Sequence, residues 1–176
     1  MLHADFIRGV KILADQGYSY DILVTENQLP NVLKLVTQLP VMNLVIDHIA
    51  KPVIASSTKP FSPISPSSVW QDCMTELASH ERIYCKLSGM ITEANWSHWQ
   101  AEDIYPYMNH VYQHFGAERL MFGSAWPVCG VAGSYEDVVE LVEGFIRRFM
   151  SNKVQSDTEP TVASVMGGNA QRFYQL

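Results

Sequence analysis

Apolar residues along this chain switch repeatedly between helical spacing and short continuous runs. Phe6, Ile7, Val10 and Leu13 recur at helical spacing, and Gly17 is a good stop for the helix they predict. Tyr20–Val24 follows as a compact strand. Thr25 can cap the next helix, with Pro30 in its first turns, Leu29, Leu33 and Val36 as its buried stripe, and Pro40 at its end. Asn43–His48 is a second strand, apolar until its last two residues. Residues 51–68 are rich in Pro and Ser, have no period, and predict a long loop. A helix then carries Trp70, Cys73, Met74 and Leu77 inward.

Arg82–Leu87 is the third strand and stops at Ser88-Gly89. A loop with Trp96 and Trp99 leads to a helix with Ile104, Met108, Val111 and Phe115 on one side, closed by Gly116. Leu120–Phe122 is a fourth short strand that stops at Gly123-Ser124. Ser134 and Asp137 have capping-box spacing. Val138, Leu141, Val142, Phe145, Ile146 and Phe149 fill the helix they begin. Residues 151–160 are polar and predict a surface loop. A last helical piece from about Thr161 breaks at Gly167-Gly168 and resumes to Tyr174.

A helix followed by four strand–helix repeats predicts a parallel sheet with right-handed crossovers, an α/β fold. Strands apolar on both faces suit a sheet covered by helices. A closed (β/α)8 barrel takes about 250 residues. Four strands in 176 residues supply roughly the second half of one, so a single domain over 1–176 without the N-terminal strands of a barrel is expected. Half a barrel leaves open strand edges, and the expected partner is another copy or a missing N-terminal segment.

Composition narrows the functions. The chain is 47% apolar with a formal charge of −6, and no Lys/Arg cluster offers a nucleic-acid surface. No apolar run approaches the roughly 18 residues of a membrane span, and the first residues lack the order of a signal peptide. Cys73, Cys85 and Cys129 are widely spaced, with no zinc-type CxxC, which fits reduced thiols in the cytoplasm.

The candidate chemistry lies at strand ends. His48 is read either as a metal ligand or proton carrier, or as a hydrogen-bonded histidine at a loop entry. Asp47 should face the opposite way and cap the following turn. Lys86 is either aimed at an anion or paired with a carboxylate. Ser88 and Ser124 end their strands, so His48, Lys86 and Ser124 should share one rim of the sheet. Cys85 is read as core, and Cys129, in the rim loop, as more exposed. Trp126 is read as pocket lining or as core filling. Residue 125 projects from the carboxyl end of a strand, where α/β barrels keep their chemistry. Its occupant, alanine, can neither move a proton nor bind a metal. No His-x-His, GxGxxG, P-loop or GxSxG occurs.

Four stretches resemble the amidohydrolase-related lactonases, which include L-fuconolactone and L-rhamnonolactone hydrolases. They are Val45-Ile46-Asp47-His48-Ile49-Ala50-Lys51-Pro52, Ile83–Gly89, Arg119–Val128 and Gly168-Asn169-Ala170-Gln171-Arg172-Phe173-Tyr174. The resemblance implies a distorted TIM barrel that opens sugar lactones, small molecules of carbohydrate metabolism, by water attack on the ring carbonyl. It implies a catalytic role for the position of His48, which polarises the carbonyl or holds a metal. It also implies a general base at position 125, where the family's Asp is Ala125. Lys86, Ser88, Ser124 and Trp126 are the expected substrate-binding residues. A complete family member can take a divalent metal such as zinc; this chain, without the first-strand His-x-His, is expected to hold none. Two other readings stand beside hydrolysis: a non-catalytic binding half-barrel, and decarboxylation of an aromatic acid on the same fold.

Overall fold

The computed structural model describes residues 1–55, 65–150 and 162–176. Helix α1 (Ala4–Asp15) precedes strand β1 (Tyr20–Ile22), and then come α2 (Leu29–Val36), β2 (Leu44–Ile46), α3 (Ser68–Ala78) and β3 (Ile83–Leu87). They are followed by α4 (Ala101–Phe115), β4 (Leu120–Phe122), α5 (Tyr135–Phe145) and α6 (Asn169–Tyr174). The four strands form one parallel sheet in the order β1-β2-β3-β4. The register Ile22↔Ile46↔Cys85↔Leu120 ties them, so all four carboxyl ends open on one side. The expected α/β order, parallel strands alternating with helices, is the observed fold and is consistent with part of a barrel.

Alternation along the strands separates two faces. Ile22, Leu44, Ile46, Ile83, Cys85, Leu87 and Leu120 join the main core with residues from α1 to α5, including Val10, Trp70, Met108 and Phe145. Val45 and Met121 point the other way and pack with Phe173, and with Tyr84, Ala170 and Tyr174, so α6 lies against the second face. Buried Asn169 fixes that helix, because its side-chain amide donates to the carbonyls of Ala117 (2.8 Å) and Leu120 (2.6 Å).

Several local expectations are corrected. The ladder stops at Ile22 rather than Val24 and at Ile46 rather than His48. In α2 the buried residues are Leu29, Val32 and Leu35, not Leu33 and Val36. The cause is the 3-10 turn Glu26–Gln28, capped by Thr25, which consumes the first turn and rotates the helix. Gly167-Gly168 does not break the last helix: a π turn over Ser164–Gly168 runs straight into α6. Cys129 is buried rather than exposed, at 1% accessibility. Phe149 is only partly buried, and Met150 takes the inward position. The Ser134–Asp137 capping box forms as expected, with reciprocal bonds of 3.1 and 2.7 Å. The middle of the Pro/Ser loop, 56–64, and the expected surface loop 151–160 lie outside the described residues. Among the described residues, no helix is long and apolar enough to cross a membrane.

Candidate functional site

Immediately after β2 the chain leaves the sheet through a left-handed turn. His48, Ile49, Ala50 and Lys51 have φ of 53°, 44°, 60° and 45°. L-residues meet Cβ–carbonyl crowding there, at about 1–2 kcal/mol each. A β-branched residue such as Ile49 is especially disfavoured in this region. The packing over-determines the turn: Ile49 and Ala50 are fully buried, and the Trp70 indole N–H donates to the Ile49 carbonyl at 2.8 Å. The Lys51 amide donates to the His48 carbonyl at 2.8 Å and closes the turn.

The His48 ring is held on two sides. Its Nδ1 lies 2.7 Å from the hydroxyl of buried Ser88. Gly89, at φ +64°, lies flat against the ring, and a Cβ there would come within 2.8–2.9 Å of ring atoms and the His48 Cβ. On the far side of Ser88, a Cβ at Gly123 would come within 3.0 Å of the Ser88 Cβ. Strand ends β3 and β4 thus set the position of a side chain that leaves β2. Burial lowers the His48 pKa below 6.5; Asp47 opposes this, and Lys51 and Lys86 reinforce it. The imidazole is therefore neutral at pH 7.

A pocket of about 570 Å³ opens beside this ring. Leu23 and Gln28 line it from beyond β1, His48 and Lys51 from beyond β2, Gly89 and Thr92 from beyond β3, and Ala125, Trp126 and Val128 from beyond β4. All follow strand carboxyl ends. Trp126 (72% exposed), Leu23 and Val128 give the mouth an apolar rim.

The expected residues are therefore only partly assembled. His48, Ala125 and Trp126 share the pocket, and Ser88 touches His48 from behind it. Ser124 does not line the pocket; its hydroxyl accepts from the Trp126 amide at 3.1 Å and shapes the local turn. Lys86 also does not line it. Its ammonium donates to Asp21 at 2.5 Å and makes an ion-pair contact with Asp47 at 2.8 Å. Burial alone would lower the Lys86 pKa, but hydrogen bonds with Asp21, Asp47 and Tyr174 outweigh it and raise the value. Of the two readings of Lys86, the structure shows the paired one. Asp47 was expected to cap the following turn; its carboxylate instead engages Lys86, and the turn carries no side-chain cap.

Lys51, Gly89, Thr92 and Gln28 line the pocket without being among the expected site residues, although Lys51 and Gly89 lie in the stretches that carry the family resemblance. The signals available were a glycine directly after the strand-end serine, and a lysine three residues after His48.

A catalytic zinc usually takes three protein ligands. Among the described residues no group of three His, Cys, Asp or Glu side chains is placed to hold a metal ion. His48 stands alone on the pocket wall while Asp47 is occupied by Lys86. The described residues do not by themselves fit the metal.

An amidohydrolase family model matches residues 2–176. The chain is 38% identical over 181 residues to an L-fucono-1,5-lactonase of Burkholderia multivorans, covering 98% of this chain and 56% of that protein. It is 38% identical over 161 residues to an L-fucono-1,5-lactonase of Burkholderia ambifaria, covering 90% and 50%. A crystal structure of an amidohydrolase from Burkholderia multivorans with bound zinc superposes with a TM-score of 0.84 at 37% identity, over 99% of this chain and 58% of that one. The chain thus spans about half the length of the curated relatives it matches. A family match from residue 2 to residue 176, on a sheet that superposes over nearly its whole length on a crystallised amidohydrolase, means that the chain belongs to the amidohydrolase family.

Proposed function

We propose that the pocket at the strand carboxyl ends is a sugar-lactone site, with a 6-deoxy sugar lactone and its ring-opened acid as ligands. The observation that carries this reading is His48, neutral and immobilised between Ser88 and Gly89, on the wall of a pocket with an apolar mouth. The likeness to L-fucono-1,5-lactonases supports the substrate class.

Ser88 either donates to Nδ1 or accepts from it. When Ser88 donates, the Nε2–H of His48 is a donor for a lactone carbonyl and polarises it toward attack by water. Trp126 and Leu23 offer apolar surface to a ring face or methyl group. Position 125 supplies no group to take the proton from that water, and general-base assistance is worth about 10²–10⁴ in rate. On this reading the chain is a lactone binder in which hydrolysis lacks that base contribution.

The test pairs binding with turnover. An amide-resolved NMR titration with a sugar 1,5-lactone should shift His48, Gly89 and Trp126. A pH-indicator assay of the same chain should show hydrolysis no faster than the uncatalysed rate, both before and after Ala125→Asp. Clear turnover by the unmodified chain, abolished by His48→Ala, would overturn the non-catalytic reading. Absence of any shift at the pocket would overturn the lactone reading itself.

A further inference from the structure

The left-handed turn after β2 has a second consequence. His48 and Lys51 are three residues apart, and the bond from the Lys51 amide to the His48 carbonyl closes a turn of about three residues. Residues at that spacing lie on the same side of the turn. Both side chains line the same pocket wall. An extended exit from β2 would not have placed them together.

The Lys51 side chain is held at the pocket. Its ammonium pairs with Oε1 of Glu93, and the two side chains are 28% and 23% exposed. Glu93 is itself anchored, since its backbone carbonyl accepts from the amides of Ile54 (3.2 Å) and Ala55 (3.1 Å). The Thr92 hydroxyl donates to the Gly89 carbonyl at 2.7 Å and lies 3.2 Å from the same Glu93 oxygen. An ammonium carries three N–H donors, of which Glu93 takes one.

Among the described residues lining the pocket, Lys51 is the one Lys, Arg, Asp or Glu side chain. His48 is neutral there, and the remaining lining residues are apolar or uncharged. Opening a lactone converts a neutral ester into a carboxylate. We propose that Lys51 is the pocket's anion ligand: its ammonium, oriented by Glu93, takes the carboxylate of the ring-opened sugar acid on the wall it shares with His48. The assignment rests on the sugar-lactone reading of the pocket. It adds a binding residue that discriminates the sugar acid from neutral sugar. Lys86, the lysine at the strand end, is committed to Asp21 and Asp47 and cannot serve in its place.

The test uses two probes of matched stereochemistry, L-fuconate as the acid and L-fucose as the neutral sugar. Each is titrated by NMR into the wild-type chain, Lys51→Met, Lys51→Arg and the double variant Lys51→Met/Glu93→Gln. The double variant removes the charge without leaving Glu93 unpaired, which controls for a folding defect in Lys51→Met. A hydrogen bond to a charged group sets the expected loss at about tenfold or more in L-fuconate affinity. L-fucose affinity should change by less than about twofold. Lys51→Arg should recover most of the acid affinity, because the charge is kept. If both methionine variants bind L-fuconate as the wild type does, the role of Lys51 is overturned while the sugar reading stands. If wild-type protein binds neither probe at this pocket, both are overturned.

Discussion

Nδ1 of His48 lies 2.7 Å from the hydroxyl of Ser88, forty residues further along the chain and one strand across the sheet. That contact, with Gly89 behind it, decides where the imidazole points. Gly89→Ala would drive a methyl group into the ring and strain a residue at φ +64°. Destabilisation of about 2–4 kcal/mol is expected from overpacking and left-handed strain together. A thermal melt compared with wild type measures it, and an unchanged melting temperature would refute the close packing.

Ala125 holds φ 54°, a left-handed conformation that alanine adopts poorly and that glycine, aspartate and asparagine tolerate. Ala125→Gly is expected to stabilise the protein by about 0.5–1 kcal/mol, after the greater freedom of glycine in the unfolded chain is offset. Ala125→Asp should be at least as stable as wild type, and Ala125→Val less stable. Urea denaturation of the three variants ranks them, and a valine variant as stable as the glycine one would contradict the backbone geometry.

Two histidines make the fold acid-sensitive. Burial lowers the pKa of both His48 and His110 from 6.5. Between each lowered folded value and 6.5 the unfolded chain binds the extra proton, so stability falls as pH drops below 6.5. At the alkaline end, burial pushes Tyr107 and Tyr174 from 10.0 up to about 12. Their contribution is complete below pH 10 and is lost as pH rises toward 12. Denaturation midpoints measured from pH 5 to pH 11 should form a plateau between those limits. His48→Gln should soften the acid slope, and an unaltered slope would place the titration elsewhere.

Among the described residues, β1 and β4 each pair on one side only. Unpaired parallel edges are templates for another chain. The 176-residue chain is expected to self-associate at micromolar concentration, and light scattering that shows a compact monomer would contradict this.

The strand–helix order was legible because each strand is a short apolar run closed by a polar stop. Leu44–Ile46 and Leu120–Phe122 needed nothing beyond that. The left-handed turn was not legible, because Ile49 and Ala50 carry no glycine signal and adopt their angles only when buried under Trp70. The phase of α2 was hidden by a 3-10 turn that local spacing cannot distinguish from a first helical turn. Position 125 was legible as the end of a strand, and His48 as the polar residue closing another. Which lysine faces the pocket was not, since Lys86 finds Asp21 across 65 residues of sequence and Lys51 finds Glu93 across 42. Side-chain pairings of that range are set by the sheet, not by local pattern.

The phenol of Tyr174 donates to Asp21 at 2.7 Å across 153 residues of sequence. Asp21 in turn holds Lys86, which contacts Asp47 next to the His48 turn. This contact can form only after α6 has left the ribosome. Until then the carboxylate of β1 and the ammonium of β3 lack their aromatic cover, and Val45 and Met121 lack Phe173. Closing so long a loop comes late in a folding sequence. The last helix of the described residues thus supplies the apolar cover of Val45 and Met121, and this smaller core is complete only once α6 is made.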